Sequence, residues 1–104
     1  MKKVPRPSYD LEEIKRLLQN EATRTITRSS RRDAVKLRYA DDEEMVNRVL
    51  KIIPIEFSHS MISKDRPILN QDVYITCDGI IYLYIKLQKS LTGKGVIVSF
   101  KEDT

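Results

Sequence analysis

Tryptophan is absent from this sequence, cysteine and histidine occur once each, and there are only three glycines in 104 residues. No hydrophobic run approaches the ~20 residues that a bilayer-spanning helix requires. Each scarcity excludes something. Cys77 alone cannot close an intrachain disulfide, and a single histidine beside a single cysteine cannot build a multi-Cys/His zinc site. Met1-Lys2-Lys3-Val4-Pro5-Arg6-Pro7 is basic but has no apolar segment behind it, so a secretory signal is not expected. These absences predict a cytoplasmic protein with no membrane contact and no cofactor. Its length fits one domain over residues 1–104, with residues 1–8 as a mobile basic tail.

Charged residues make up 33% of the chain against 40% hydrophobic, polar for a globular protein but outside the disordered class. The net charge of +4 is unevenly spread: residues 1–40 hold eleven Lys/Arg against five Asp/Glu, and residues 41–65 hold three against six. A basic concentration of this kind suits a polyanionic partner on one side of the domain, or else a merely solvated basic face.

Hydrophobic periodicity is clearest in the last third. Val73-Tyr74-Ile75-Thr76 reads as a strand, Asp78-Gly79 as a hairpin turn, and Ile80 to Gln88 as a long strand. In the long strand Ile81, Leu83, Ile85 and Leu87 share one face, while Tyr82, Tyr84, Lys86 and Gln88 share the other. Val96 to Lys101 repeats the pattern, with Val96, Val98 and Phe100 expected inward and Ile97, Ser99 and Lys101 outward. Upstream, Asp10-Leu11-Glu12-Glu13 is a capping-box pattern, and Leu11, Ile14, Leu17 and Leu18 mark a helix from Leu11 to Asn20. Ala22 to Ser30 suits an edge strand or extended loop carrying Arg24 and Arg28. Arg31 to Tyr39 suits a short second helix with Ala34, Val35 and Leu37 partly inward. Asp41-Asp42-Glu43-Glu44 reads as the first turn of a third helix rather than a metal site, with Asp41 as cap and Glu44 closing a second box. Pro54 holds Ile53 out of the helical region, and Phe57, His59 and Met61 then alternate with Ser58, Ser60 and Ile62.

His59 is the side chain whose ordinary pKa lies nearest neutrality, the natural general acid or base if the protein is an enzyme. Tyr82, Tyr84 and Lys86 stand about 7 Å apart along one strand face and offer rings and a cation to single-stranded nucleic acid. Thr92-Gly93-Lys94-Gly95 lacks the rest of a phosphate-binding loop and reads as a turn. Lys101, beyond Ser99 on the outward face, is placed to reach a phosphate.

Ser60-Met61, Gln71-Asp72-Val73-Tyr74, Gly79 followed by Tyr82-Leu83, and Val96-Ile97-Val98-Ser99-Phe100-Lys101-Glu102 occur in an order and spacing that resemble the MqsR-type mRNA interferase toxins of bacterial toxin-antitoxin pairs. The basic Pro-containing start, the amphipathic helix and Thr27-Arg28-Ser29 agree as well, whereas Arg31 to Ile55 matches only in outline. The resemblance implies an α+β, RelE-like fold, a small twisted antiparallel sheet with helices packed on one side. It also implies metal-independent cleavage of mRNA, and a cognate antitoxin, zinc-binding and helix-turn-helix in the manner of MqsA, that extends the toxin's sheet. The family's site residues fall on Gln71, Tyr82 and Lys101, and the family's remaining lysine is replaced here by His59.

Such cleavage needs a base for the ribose 2′-hydroxyl, cations for the charge gathering on phosphorus, and an acid for the leaving 5′-oxygen. Imidazole suits the base role better near neutrality than an ammonium with a pKa near ~10.4. His59 is therefore expected as base or acid, with Lys101 and either Arg28 or Lys86 steadying the phosphate. Tyr82 is expected as proton carrier or stacking surface and Gln71 as an orienting group. Arg24, Arg28, Tyr84 and Lys86 are the expected RNA contacts. Strict alternation puts Gln71 with Val73 and Ile75 on the aliphatic side, which requires either a bulge or a position before the strand proper. The competing readings are a noncatalytic RNA-binding or regulatory module, and an interaction subunit with an exposed strand edge.

Overall fold

The computed structural model describes residues 2–62 and 69–104, and every structural statement below concerns those residues. In chain order the elements are β1 (Lys2–Val4), α1 (Leu11–Gln19), β2 (Arg24–Ile26), α2 (Arg28–Lys36), α3 (Asp42–Val49), β3 (Phe57–Ile62), β4 (Gln71–Asp78), β5 (Ile81–Lys89) and β6 (Gly95–Glu102). The strands form one sheet in the order β1-β3-β4-β5-β6-β2. Neighbours from β1 through β6 run antiparallel, and β2 adds a parallel edge on β6. The fold is α+β and compatible with a RelE-like arrangement.

The alternation in β5 sets the layering. Leu83, Ile85 and Leu87 are buried under the helices, against Ile14 and Leu18 of α1, Ala34 of α2 and Met45, Val46 and Val49 of α3. Each helix starts where a side chain takes an orphan amide. Asp10 accepts from the Glu12 amide at 3.0 Å and Asp41 from the Glu44 amide at 2.9 Å. Glu44 reaches back to the amide of Ala40, so the acidic run caps a helix as expected. α2 begins three residues before the expected Arg31, because Thr27 Oγ1 accepts from the Ser30 amide. That start turns Ser30 and Ala34 to the sheet and leaves Val35 64% exposed rather than inward.

Two bulges revise the expected face assignments. In β6, Ser99 pairs with Lys86 but Ile97 pairs with Leu87, which makes Val98 the extra residue. Ile97 therefore joins Phe100 in the core, and Val96 falls on the opposite face. The start of α2 locks this bulge: the Thr27 hydroxyl donates to the Val98 carbonyl at 3.0 Å and the Ser30 hydroxyl to that of Ile97 at 3.2 Å. In β3, Phe57 pairs with Tyr74 and His59 with Val73, so Ser58 is the extra residue. Phe57 turns to the helix side, edge-on to the Tyr74 ring at 5.5 Å, while His59 turns away.

The segment expected as a basic tail contains β1, paired with β3, and leads into a buried carboxylate. Asp72 accepts from the Ser8 amide at 2.9 and 3.0 Å and from the Tyr9 amide at 2.9 Å. Next to it the Ser8 and Ser60 hydroxyls meet at 2.7 Å, and the Tyr9 hydroxyl donates to the Asn70 carbonyl at 2.6 Å.

Gly95 is where β6 passes closest to α1. A Cβ there would stand 3.0 Å from the Leu17 Cβ and 3.3 Å from the Ile14 carbonyl oxygen. Gly95→Ala is expected to lower the urea unfolding free energy by about 1–3 kcal/mol, the usual cost of overpacking against backbone. An unchanged midpoint would show that α1 can lift from the sheet.

Candidate active site on the open face of the sheet

No described helix packs on the second face of the sheet, and the register fixes which side chains lie there. Side chains stand roughly perpendicular to a sheet, so cross-strand partners form rows. One row runs Lys3, Met61, Gln71, Gln88, Val96. The next runs His59, Val73, Lys86, Ser99. A third holds Ile75, Tyr84 and Lys101, and a fourth Cys77 and Tyr82. The strand positions of this face carry ammonium groups from Lys3, Lys86 and Lys101; its carboxylate comes from Asp103, just past β6, whose amide donates to the Tyr82 carbonyl at 2.8 Å and whose charge acts on Tyr84.

Four expected residues, His59, Gln71, Tyr82 and Lys101, thus share one face but not one row. Gln71 needs no bulge to be there. Val73 and Ile75 accompany it on the open side, and Tyr74 and Thr76 are the β4 residues that face the helices. The aliphatic side of β4 is the floor of the open face, and Val73 is 0% exposed although it lies outside the helix-side core. Gln71 Nε2 donates to Gln88 Oε1 at 3.0 Å, which fixes the amide beside the His59 row. Tyr82 is 57% exposed and stands two rows from His59, roughly 13 Å away along the strand direction alone.

His59 is half-buried, with Nδ1 2.9 Å from the Ser58 hydroxyl that the bulge sets beside it. Burial, then the charges of Lys3 and Lys86, hold its pKa below the ordinary 6.5. Lys86, also half-buried, has its pKa lowered by burial and then by Lys101. Both ammoniums lie over the Tyr84 ring, Lys86 Nζ 5.8 Å and Lys101 Nζ 5.1 Å from its centroid.

The arginines lie elsewhere. Arg24 is a structural tie on the helix side, its side chain 8% exposed, bonded to Glu43 at 2.6 Å and to the Leu18 carbonyl at 3.2 Å. Arg28 is exposed at the first turn of α2. A cavity of about 400 Å³ also lies away from the open face, between α3 and the β4–β5 turn, with Arg38, Tyr39, Glu44, Arg48, Lys51 and Asp78 in its wall. Its cations are interleaved with carboxylates, and the Tyr39 hydroxyl donates to Asp78. The extended open face is better shaped for a nucleic-acid strand. Lys3 and Ser58 were not readable as site residues from sequence, because each reaches His59 through an event without a local signal: the docking of β1 and the bulge in β3.

The chain matches, over residues 6–102, the family described as motility quorum-sensing regulator, toxin of MqsA. It belongs to that family. It is thus the toxin of a toxin-antitoxin system, and a cognate antitoxin is its partner. No curated protein matches the chain. The match of the toxin family runs from the segment just before the Asp72 tether through β6, so it includes every residue of the open face except Lys3.

The electrostatics of this face can be read directly. In an NMR titration the His59 ring of the toxin is expected to titrate below 6.5, because both neighbouring cations and burial disfavour its charged form. Lys3→Gln should move the midpoint upward. A midpoint at or above 6.5 in the unaltered protein would contradict the burial of the ring, and a midpoint unmoved by Lys3→Gln would contradict the arrangement of β1 beside β3.

Proposed function

We propose that this toxin is an endoribonuclease that cuts mRNA by attack of a ribose 2′-hydroxyl on the adjacent phosphorus, leaving a 2′,3′-cyclic phosphate without the help of a metal ion. The observation that carries the reading is an uncovered sheet face on which an imidazole stands in one row with Lys86 and beside the row of Lys3, with Lys101 on the same face and Asp103, just past β6, acting on Tyr84. His59 removes the 2′-hydroxyl proton. The tautomer with Nδ1–H donating to the Ser58 hydroxyl leaves the Nε2 lone pair for that step. Lys101 and Lys86 hold the phosphate oxygens as charge gathers on them, the electrostatic contribution that usually dominates such reactions. Gln71, fixed by Gln88, orients the phosphate or a base. Tyr84 and the exposed Tyr82 offer ring faces to neighbouring bases, a contact worth ~1–3 kcal/mol per base. Arg28 extends the basic surface from the helix layer, and Arg24 serves the fold.

The antitoxin, of the zinc-binding and helix-turn-helix kind, would add to an unpaired edge of the sheet, at β1 or at β2. Action in the cytoplasm, where mRNA is found, follows from this reading.

Incubation of the purified toxin with mRNA in EDTA, with end analysis of the fragments, tests the proposal. Cyclic phosphate ends are expected, with His59→Ala slower by about 10²–10⁴-fold, the usual worth of a general base. Lys101→Ala should be slower with RNA affinity less affected. RNA bound but never cut would support a noncatalytic module instead, and cleavage that survives in a His59→Ala, Lys101→Ala double variant would remove these residues from the site.

A further inference from the structure

We infer that Lys86 is the general acid of the cleavage, the proton donor to the leaving 5′-oxygen opposite His59; this rests on the nuclease reading above. The juxtaposition comes from the register. His59 pairs with Val73 and Val73 with Lys86, so the imidazole and the ammonium stand in one row, two strands apart, with a fully buried valine as the floor between them. Two strand spacings are about 10 Å. A 2′-oxygen approaching phosphorus in line and a 5′-oxygen leaving on the far side are roughly 5 Å apart at the start of the reaction, and a hydrogen bond at each end brings the span to about 10 Å.

The alternatives for the acid fit this span less well. Tyr82 lies two rows farther along β5 from Lys86, roughly 13 Å away, and is mostly exposed. Lys101 lies one row along and one strand farther from His59 than Lys86 does, with its ammonium 5.1 Å from the Tyr84 ring centroid. Gln71 is in the adjacent row but has no titrating proton. Among the described residues Lys86 has no ion pair, and the cations near it, Lys101 over the same Tyr84 ring and His59 when protonated, both favour release of its proton. In the step itself, Nε2 of His59 takes the 2′-hydroxyl proton while the O2′–P bond forms. The P–O5′ bond breaks and a proton passes from Lys86 Nζ to O5′. The products are a 2′,3′-cyclic phosphate and a 5′-hydroxyl, and both side chains recover their starting states by exchange with water.

A bridging phosphorothiolate substrate, with sulfur in place of the 5′-oxygen, separates an acid from a phosphate clamp, because a thiolate leaves without being protonated. Lys86→Arg keeps the cation but donates a proton poorly. On ordinary RNA, Lys86→Arg and Lys86→Met are expected to be slower by about 10²–10⁴-fold. On the sulfur substrate Lys86→Arg should come within about tenfold of the unaltered toxin, while His59→Ala stays impaired on both. The alkaline fall in kcat/KM on ordinary RNA, which reports the free toxin and is expected below the ordinary lysine value of 10.5, should be weaker on the sulfur substrate. Equal losses for Lys86→Arg on the two substrates would overturn the assignment and leave Lys86 as a phosphate contact. Failure of the unaltered toxin to cut either substrate would instead overturn the nuclease reading, and this role with it.

Discussion

A sheet covered on one side only must bury one parity of each strand and find a use for the other. In this toxin the covered side is set by Leu83, Ile85 and Leu87 of β5, each buried under the helices. Full burial of such a side chain contributes ~1.5–3 kcal/mol, more than any single polar contact on the opposite face can offset. Register slip by one residue would exchange the faces, so this packing also fixes where Tyr82, Tyr84 and Lys86 point. The layout of the candidate site is in this sense a by-product of core packing. Its polar members need not stabilise anything, and they are free to carry unpaired charge.

β5 and β6 show how far such a layout can be read from sequence. The alternation of β5 is unbroken, and its two faces are as the pattern predicts. In β6 the same logic correctly turns Phe100 inward and Lys101 outward but exchanges Val96 and Ile97, because one inserted residue at Val98 reverses the parity upstream of it. All the residues concerned are aliphatic, so no local chemistry betrays the bulge. The signal is remote, in the hydroxyls of Thr27 and Ser30 that take the carbonyls at the bulge. β4 misleads for another reason. Val73 and Ile75 look like core and Tyr74 like surface, yet Tyr74 is packed on Phe57 under the helices while Val73 is covered from the open side. Hydrophobicity marks burial but not the direction of it.

The buried carboxylate of Asp72 connects the N-terminal segment to the candidate site. Two backbone amides donate to it, that of Ser8 shared between both oxygens, and a hydrogen bond to a charged group contributes about 1.5–3 kcal/mol. These bonds fix Ser8 and Tyr9 at the end of the segment that leaves β1, and β1 sets Lys3 opposite Met61, next to the His59 row. The charge of Lys3, near the start of the chain, thereby reaches an imidazole more than fifty residues away in sequence.

The charge pattern of the open face also bears on catalysis. Repulsion between ammoniums several ångströms apart is about 1 kcal/mol or less in water and is screened within about 8 Å at physiological salt, so the unliganded face tolerates Lys3, Lys86 and Lys101 together. Burial, with the charges of Lys3 and Lys86, lowers the pKa of His59 and so disfavours its protonated form. On the proposed mechanism a bound phosphodiester would reverse the balance: its negative charge would raise the proton affinity of both His59 and Lys86, against the opposing effect of excluding water. In the proposed cleavage His59 would then be the stronger base and Lys86 would stay charged, when one has to take a proton and the other still has one to give. A lysine in place of His59 would have to reach the base form against a far higher intrinsic pKa, whereas an imidazole among cations needs only to be kept from protonation until RNA arrives.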